Sequence, residues 1–240
     1  MPSELEAPHD WGELYLARGE DVADERPVFT GDVFTRRPLA EGQASEAVGP
    51  SQLLVLQHPC ALRINGVDLV PRILVAEVEP APLLSTEQWK GSFKLMPLPE
   101  LLEAVGGDSG HRAGKFNQIL VVTPEDLAAY DRVACLSEVG VNLLLQRWVH
   151  HNSRVIVPTH LFAEVTAGPS AEAELTEDWV SERVTQGADP AAAEHECHDF
   201  LRSQPSADGP TRQDALRDPQ RRSEVRRAAR AQLALPMLPA

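Results

Sequence analysis

A change of pattern near Val165 constrains the fold of this chain more than any other feature of its sequence. Between Pro27 and Val165, short β-prone runs alternate with turn residues, at spacings of roughly ten to twenty residues. After Val165 the strand pattern stops, and charged segments with helical periodicity follow. The pattern predicts an α+β protein with a small β-barrel or sandwich and a helical C-terminal region.

Charge divides the chain further. Residues 1–26 carry eight acidic residues and two arginines, whereas residues 211–230 carry seven arginines and three acidic residues. We therefore predict three segments: an acidic N-terminal arm (1–26), a β-rich barrel-like core (27–165) and a helical, arginine-rich C-terminal region (166–240).

Seven runs predict strands, because they are β-prone or apolar and are bounded by turn residues. They are Val28–Thr35, Leu53–Gln57, Ala61–Ile64, Arg72–Val78, Phe93–Leu98, Phe116–Val122 and a closing strand over Ser153–Pro158. Helical spacing and capping residues predict the helices. They are Trp11–Arg18, a short helix after Thr123, Ser137–His151, Glu172–Thr185, Asp189–Ser203 and one or two helices over Thr211–Leu233, with a break near Asp218-Pro219. The alternative for Trp11–Arg18 is a flexible acidic arm.

Composition narrows the classes of function. The net charge of −14 disfavours nucleic-acid binding driven by the overall field. No apolar run approaches the roughly 18 residues of a spanning helix, and the acidic N-terminus does not resemble a secretory signal, so no membrane contact is expected. Three scattered cysteines fit reduced thiols. We expect a cytoplasmic protein, and the wealth of alanine, proline and arginine suggests a bacterial source.

His58 and Cys60 follow the apolar run Leu53–Gln57 and are candidates for a nucleophile or a metal ligand. Zinc-ligand spacing is missing, and so are the phosphate-binding, dinucleotide-binding and nucleophile-elbow glycine motifs. We therefore expect no metal and no cofactor. The alternative is that Cys60 packs as a small hydrophobic residue and that the histidines are solvated.

Two basic clusters are candidates for binding nucleic acid or a partner. Arg147, His150, His151 and Arg154 span two helical turns and would contact phosphate if that helix face were exposed. The alternative is a polar helix face that is merely hydrated. The second cluster would bind nucleic acid or an acidic protein, and we favour protein. It consists of Arg221, Arg222, Arg226, Arg227 and Arg230.

The stretch Gly31-Asp32-Val33-Phe34, followed by a loop and then by Gln52–Pro59, resembles the start of the MazF/PemK-type toxin barrels. Leu74–Val78 resembles their next strand, so the resemblance covers roughly residues 30–80. It implies an SH3-like, PemK-like barrel core with a helix. The family's ribosome-independent RNA endonucleases use an arginine of the first loop and a hydroxyl just after the third strand. Here the matching residues are Arg36 or Arg37 and Ser85 or Thr86, although the chain reads Glu79-Pro80-Ala81-Pro82 directly after that strand.

Two kinds of function therefore remain open. The first hypothesis is a non-catalytic binding module, an accessory subunit of a bacterial assembly such as a phage-defence or toxin–antitoxin-like system, with a protein partner. The alternative is a MazF/PemK-like RNA endonuclease or another nucleic-acid-binding protein. The endonuclease hypothesis gains if Arg37, Ser85 and His58 converge on one pocket.

Overall fold

A computed structural model describes residues 4–37, 49–206 and 209–235. Most of the loop between the first two predicted strands, residues 38–48, lies outside the described residues. The fold is α+β, as predicted, with an antiparallel seven-stranded sheet curled into a half-barrel and several helices.

The chain forms two compact units. Unit 1 comprises Met1–Val22, Phe29–Leu62 and Leu69–Ala163, and unit 2 comprises Ala23–Val28, Arg63–Asp68 and Glu164–Ala240.

The sheet of unit 1 has the strand order β1-β7-β2-β3-β4-β6-β5, and all neighbours are antiparallel. Within the described residues, the outer strands β1 and β5 do not pair with each other, so the sheet stays open. Irregular register in three of the strand pairs adds local twist and bending. The strands are β1 Tyr15–Arg18, β2 Val33–Arg36, β3 Gln52–Val55, β4 Ile73–Pro80, β5 Leu95–Leu98, β6 Arg112–Val122 and β7 Tyr130–Leu136.

The predicted closing strand over Ser153–Pro158 is wrong. The helix before it ends at Ser153, and Arg154 adopts a left-handed conformation, φ 61°, which caps that helix. The next residues, 155–158, form neither helix nor strand. Their β-branched side chains favour a strand, but this preference is weak unless a neighbouring strand is available to pair with.

Among the described residues, three α-helices lie wholly within unit 1: α1 Thr86–Gly91, α2 Pro124–Leu127 and α3 Glu138–Ser153. The predicted helices after Thr123 and over Ser137–His151 are confirmed, since Thr123 and Ser137 cap α2 and α3. The predicted helix Trp11–Arg18 is wrong: Trp11–Leu14 is a single 3-10 turn, and the chain then pairs with β7 as β1. The predicted strand Ala61–Ile64 is likewise replaced by a turn that begins at Pro59.

The core of unit 1 lies between α3 and the sheet. All four residues of β3 are buried, and so are Gly140–Arg147 of α3. The largest side chains that become fully buried include Trp89, Met96 and Phe116. Burial of each large apolar side chain contributes about 1.5–3 kcal/mol, so this layer accounts for much of the stability of unit 1.

The helices α4 Thr159–Thr185, α5 Pro190–Arg202, α6 Arg212–Arg217 and α7 Arg222–Leu233 supply most of unit 2. The predicted cap at Asp189-Pro190 and the break near Asp218-Pro219 are both confirmed. Every one of these helices contributes an apolar face to one core. It contains Ala171, Leu175, Trp179, Cys197, Leu201, Ala215, Leu216, Val225 and Ala229, with Phe200 and Leu233 packed against it.

Candidate functional site

His58 and the arginines predicted for an endonuclease site lie at opposite ends of the strand pair β2–β3. Arg36 ends β2, and the register sets Thr35 opposite Gln52, the first residue of β3. His58 follows the other end of β3, so it lies at the opposite end of this strand pair from Arg36 and Arg37. Antiparallel pairing therefore separates His58 from both arginines, and the structure does not bring them together.

Each of these arginines has a partner on the neighbouring strand β7. Arg36 donates a hydrogen bond to the Tyr130 hydroxyl at 2.7 Å, and its guanidinium lies over the Tyr130 ring. Arg37 pairs with Asp131, with 2.5 Å between Nε and Oδ1. These contacts fasten the ends of β2 and β7 to each other.

The predicted hydroxyl residues serve the start of α1. Ser85 is the N-cap: its Oγ accepts a hydrogen bond from the Gln88 N–H at 3.3 Å, and the Gln88 side chain accepts one from the Ser85 N–H at 2.8 Å. This reciprocal capping box stabilises the helix start by about 1 kcal/mol. Thr86 is the first residue of the helix.

His58 and Cys60 belong to a tight local turn. The Cys60 N–H donates to Nδ1 of His58 at 3.2 Å, which caps the 3-10 turn Pro59–Ala61. Burial lowers the pKa of His58, so its imidazole is neutral near pH 7 and can accept this bond. Among the described residues, no group of three or more His, Cys, Asp or Glu side chains is arranged to hold a metal ion.

Arg147 is fully buried, which contradicts its predicted place on an exposed basic face. Its guanidinium donates to the backbone carbonyls of Ser92 at 3.0 Å and Glu6 at 2.8 Å, and it lies 4.6 Å from the centre of the Trp89 ring. Burial lowers the pKa of Arg147 to about 9, so the group remains a cation at pH 7. The residue ties the N-terminal stretch to the core and cannot contact phosphate from this position.

The other three members of that cluster surround Phe93. His150 meets the Phe93 ring edge-on at 5.5 Å, the Arg154 guanidinium lies 4.5 Å above the ring, and Nδ1 of His151 lies 3.2 Å from the Phe93 carbonyl oxygen. All three stand at the C-terminal end of α3, where the helix dipole favours cations and disfavours anions. Their position is therefore explained by helix capping and ring contacts, without a bound phosphate.

Three of the five C-terminal arginines have partners inside unit 2. Arg226 forms an ion pair with Glu174, and Arg221 lies 3.9 Å from Glu224. Nε of Arg222 donates to the Leu216 carbonyl at 2.8 Å. The other two, Arg227 and Arg230, are exposed. The cluster is therefore partly neutralised by acidic residues of the same unit.

The most distinctive exposed feature of unit 1 is one that the sequence did not single out. Strand β5 pairs with only the first part of β6, from Arg112 to Lys115, and the last contact joins the Phe116 N–H to the Lys94 carbonyl at 3.1 Å. Beyond it, Asn117–Val122 has no strand on that side among the described residues. We call Asn117–Val122 the free edge.

The register shows which backbone groups of the free edge point outward. The Leu56 N–H donates to the Leu74 carbonyl, so Leu74 points its backbone groups toward β3 and the next residue, Val75, points toward β6. Val75 is opposite Leu120, so Leu120 and Val122 bond to β4. Ile119 and Val121 consequently direct their N–H and C=O groups away from the sheet. Within the described residues, these outward groups have no hydrogen-bond partner.

The side chains of the free edge are apolar and accessible. Ile119 and Leu120 are each 37% exposed, and Val121 is 59% exposed. A strand with exposed apolar side chains and unpaired backbone groups can accept another extended segment by strand addition. The sequence signal was the run Ile119-Leu120-Val121-Val122, but an apolar run alone does not distinguish a central strand from an open one.

Comparisons with known proteins add no relative to this picture. No protein-family model matches the chain, and neither does any curated protein. Across residues 4–37, 49–206 and 209–235, no helix is both long enough and apolar enough to cross a bilayer.

Proposed function

We propose that this chain is a non-catalytic binding module, an accessory subunit of a bacterial assembly that takes up an extended polypeptide segment along the free edge. The observation that carries the proposal is the outward orientation of the Ile119 and Val121 backbone groups, next to side chains that are exposed over three consecutive residues. An added strand satisfies those groups and covers that apolar surface in one step.

Magnitudes favour such an association. Each backbone hydrogen bond formed on docking contributes about 0.5–1.5 kcal/mol net, and apolar surface contributes about 25 cal/mol per Å² covered. Two outward residues offer four hydrogen-bonding groups in total. These terms exceed what an exposed ion pair provides, which is about 0–1 kcal/mol.

The proposal also includes the resemblance to the MazF/PemK barrels, as a similarity of fold. The pairing of β2, β3 and β4 as consecutive antiparallel neighbours supports this part of the proposal. The reaction is not included in the proposal, because Ser85 caps α1 and Arg36 bonds to Tyr130. A non-catalytic role fits side chains that are already engaged in holding the fold.

Site-specific photocrosslinking in the native host tests the proposed function. Val121→p-benzoylphenylalanine places the reactive group on the free edge, and Val155→p-benzoylphenylalanine is the matched control, since Val155 is 49% exposed in the same unit but lies outside the sheet. We expect a discrete adduct with one polypeptide from position 121 and none from position 155. Equal yields at the two positions, or no adduct at 121, would contradict the proposal.

A further inference from the structure

We infer that the segment taken up by the free edge is the same edge of a second copy of this chain, so that two β6 strands pair antiparallel across a two-fold axis. This inference rests on the proposed use of the free edge. A two-fold axis makes an interface self-complementary, because each residue meets the partner of the residue it pairs with. The free edge has this property in both its hydrogen bonds and its charges.

The hydrogen-bonding pattern favours a register with Leu120 on the axis over a slip toward α2. With Leu120 on the axis, Ile119 faces Val121 of the second copy and Val121 faces Ile119. Both are outward residues, so each of the two pairs exchanges two backbone hydrogen bonds. A slip that sets Ile119 opposite Thr123 loses bonds, because the Thr123 N–H already donates to Asp126 at 2.9 Å.

Charge complementarity supports the same arrangement. Lys94, an exposed residue and one of three lysines in the chain, flanks Phe116 at the start of the free edge. The nearby Lys115 is already paired with Glu79 at 3.7 Å, so Lys94 carries the charge argument. Glu125, which is exposed, comes just after the other end of the free edge, in the first turn of α2. Antiparallel self-pairing brings the lysine end of one copy to the glutamate end of the other, twice in each dimer.

Sedimentation equilibrium on the full chain measures the pairing. Val121→Pro removes an outward N–H but leaves the bonds from Leu120 and Val122 to β4, whereas Val121→Thr keeps the N–H and the shape. We expect dimers with a dissociation constant of about micromolar order for the wild type and the Thr variant. The Pro variant should bind at least about tenfold more weakly, with an unchanged circular dichroism spectrum.

Charge exchange tests the orientation of the two strands. Lys94→Glu and Glu125→Lys should each weaken the dimer about threefold to fivefold, because each places like charges at both contacts. The double variant should recover most of the wild-type affinity. Additive losses in the double variant would contradict the antiparallel arrangement.

Disulfide formation tests the register. In a Cys60→Ser background, Leu120→Cys puts two thiols on the axis at a non-hydrogen-bonded pair, where Cβ atoms come within about 4.5–5.5 Å. We expect rapid crosslinking of Leu120→Cys and little for Ile119→Cys. The two remaining cysteines, Cys135 and Cys197, are buried.

The outcomes separate this inference from the proposed function. A purified chain that stays monomeric at several hundred micromolar (about a hundredfold above the expected constant) overturns self-pairing. If position 121 still crosslinks to a different polypeptide in cells, the proposed function stands and only the inference fails. If the chain is monomeric and position 121 gives no adduct, both fail.

Discussion

The free edge of unit 1 and the arginine-rich helices of unit 2 are two surfaces that suggest docking, and they differ in whether their polar groups already have partners. On α6 and α7, most of the arginines already have partners within unit 2, as Arg226 does with Glu174. On β6, the outward backbone groups of Ile119 and Val121 have none among the described residues. A count of charges along the sequence therefore overstates the binding capacity of the arginine-rich helices and does not detect the free edge.

Two buried arginines, one from each unit, also differ in how their charge is satisfied. In unit 2, Arg183 is held by Glu196, with distances of 2.7 and 2.8 Å, and Glu196 also accepts a hydrogen bond from Trp179 at 3.1 Å. In unit 1, Arg147 is held by carbonyl oxygens and a tryptophan ring, without a carboxylate. Arg183 is thus satisfied by a carboxylate, whereas Arg147 is satisfied by backbone oxygens; buried Arg112 of unit 1 also has a carboxylate partner, Asp108.

Loss of Arg147 should have the largest effect on stability. Arg147→Ala removes the packing against Trp89 and leaves the carbonyls of Glu6 and Ser92 without donors, so we expect a loss of about 3 kcal/mol in the free energy of unfolding. Arg147→Met keeps most of the volume and should cost about 1–2 kcal/mol. Urea denaturation followed by tryptophan fluorescence measures both. Equal losses for the two variants would show that packing around the guanidinium contributes nothing.

Loss of the Glu196 carboxylate should have the second-largest effect on the free energy of unfolding. Glu196→Ala leaves the deeply buried guanidinium of Arg183 with weaker partners, and we expect a loss of about 2 kcal/mol. A fully buried pair would cost about 3–5 kcal/mol, but the Glu196 side chain is 40% exposed and water moderates the loss. Asp199→Ala on the same helix, at a highly exposed carboxylate, is the control and should change stability by less than about 0.5 kcal/mol. A similar loss for both would refute the pairing.

The same pair predicts how stability depends on pH. Hydrogen bonds from Arg183 hold the pKa of Glu196 below its ordinary value of 4.5. The folded state therefore binds fewer protons at this site than the unfolded state does. Its contribution to stability is therefore complete above pH 4.5 and declines as the pH falls through the lowered pKa. Glu196→Gln should be less stable than wild type at pH 7, and the difference should narrow below pH 4. A difference that stays constant from pH 7 to pH 3 would contradict this assignment.

Local signals in the sequence located several helices that begin at a cap, but they did not locate every strand. Thr123-Pro124 and Asp189-Pro190 start helices as predicted, because a cap depends on residues that lie within one turn. Strand β7 was missed, since Tyr130–Leu136 includes charged residues and no clear alternation. Its place between β1 and β2 depends on partners about a hundred residues away, which no local pattern contains.

The predicted place of Arg147 was wrong, and the free edge was missed, because both depend on contacts between residues that are distant in sequence. Arginines are rarely buried, so Arg147 was assigned to a surface, yet its acceptors are the carbonyls of Glu6 and Ser92, which are distant in sequence. The free edge depends on how far β5 extends along β6. That length is a tertiary property, and the sequence of β6 by itself predicts only a strand.

The arginines of α7 should show the smallest effects. Arg226→Ala and Arg227→Ala are each expected to change the free energy of unfolding by less than about 0.5 kcal/mol, because Arg227 is exposed and both side chains of the Arg226–Glu174 pair are about 40% accessible to water. Neither should alter the photocrosslinking yield at position 121. A loss of that yield in either variant would move the docking surface back to unit 2.

Residue-resolved amide hydrogen exchange tests the central claim most directly. In dilute protein, the amides of Ile119 and Val121 should exchange rapidly, while those of Leu120 and Val122 are protected by their bonds to β4. At high protein concentration, or with the crosslinked partner, Ile119 and Val121 should slow at least about tenfold, and Leu120 and Val122 should change little. Equal protection of all four amides in dilute protein would show that the edge is not free, and the account would be wrong.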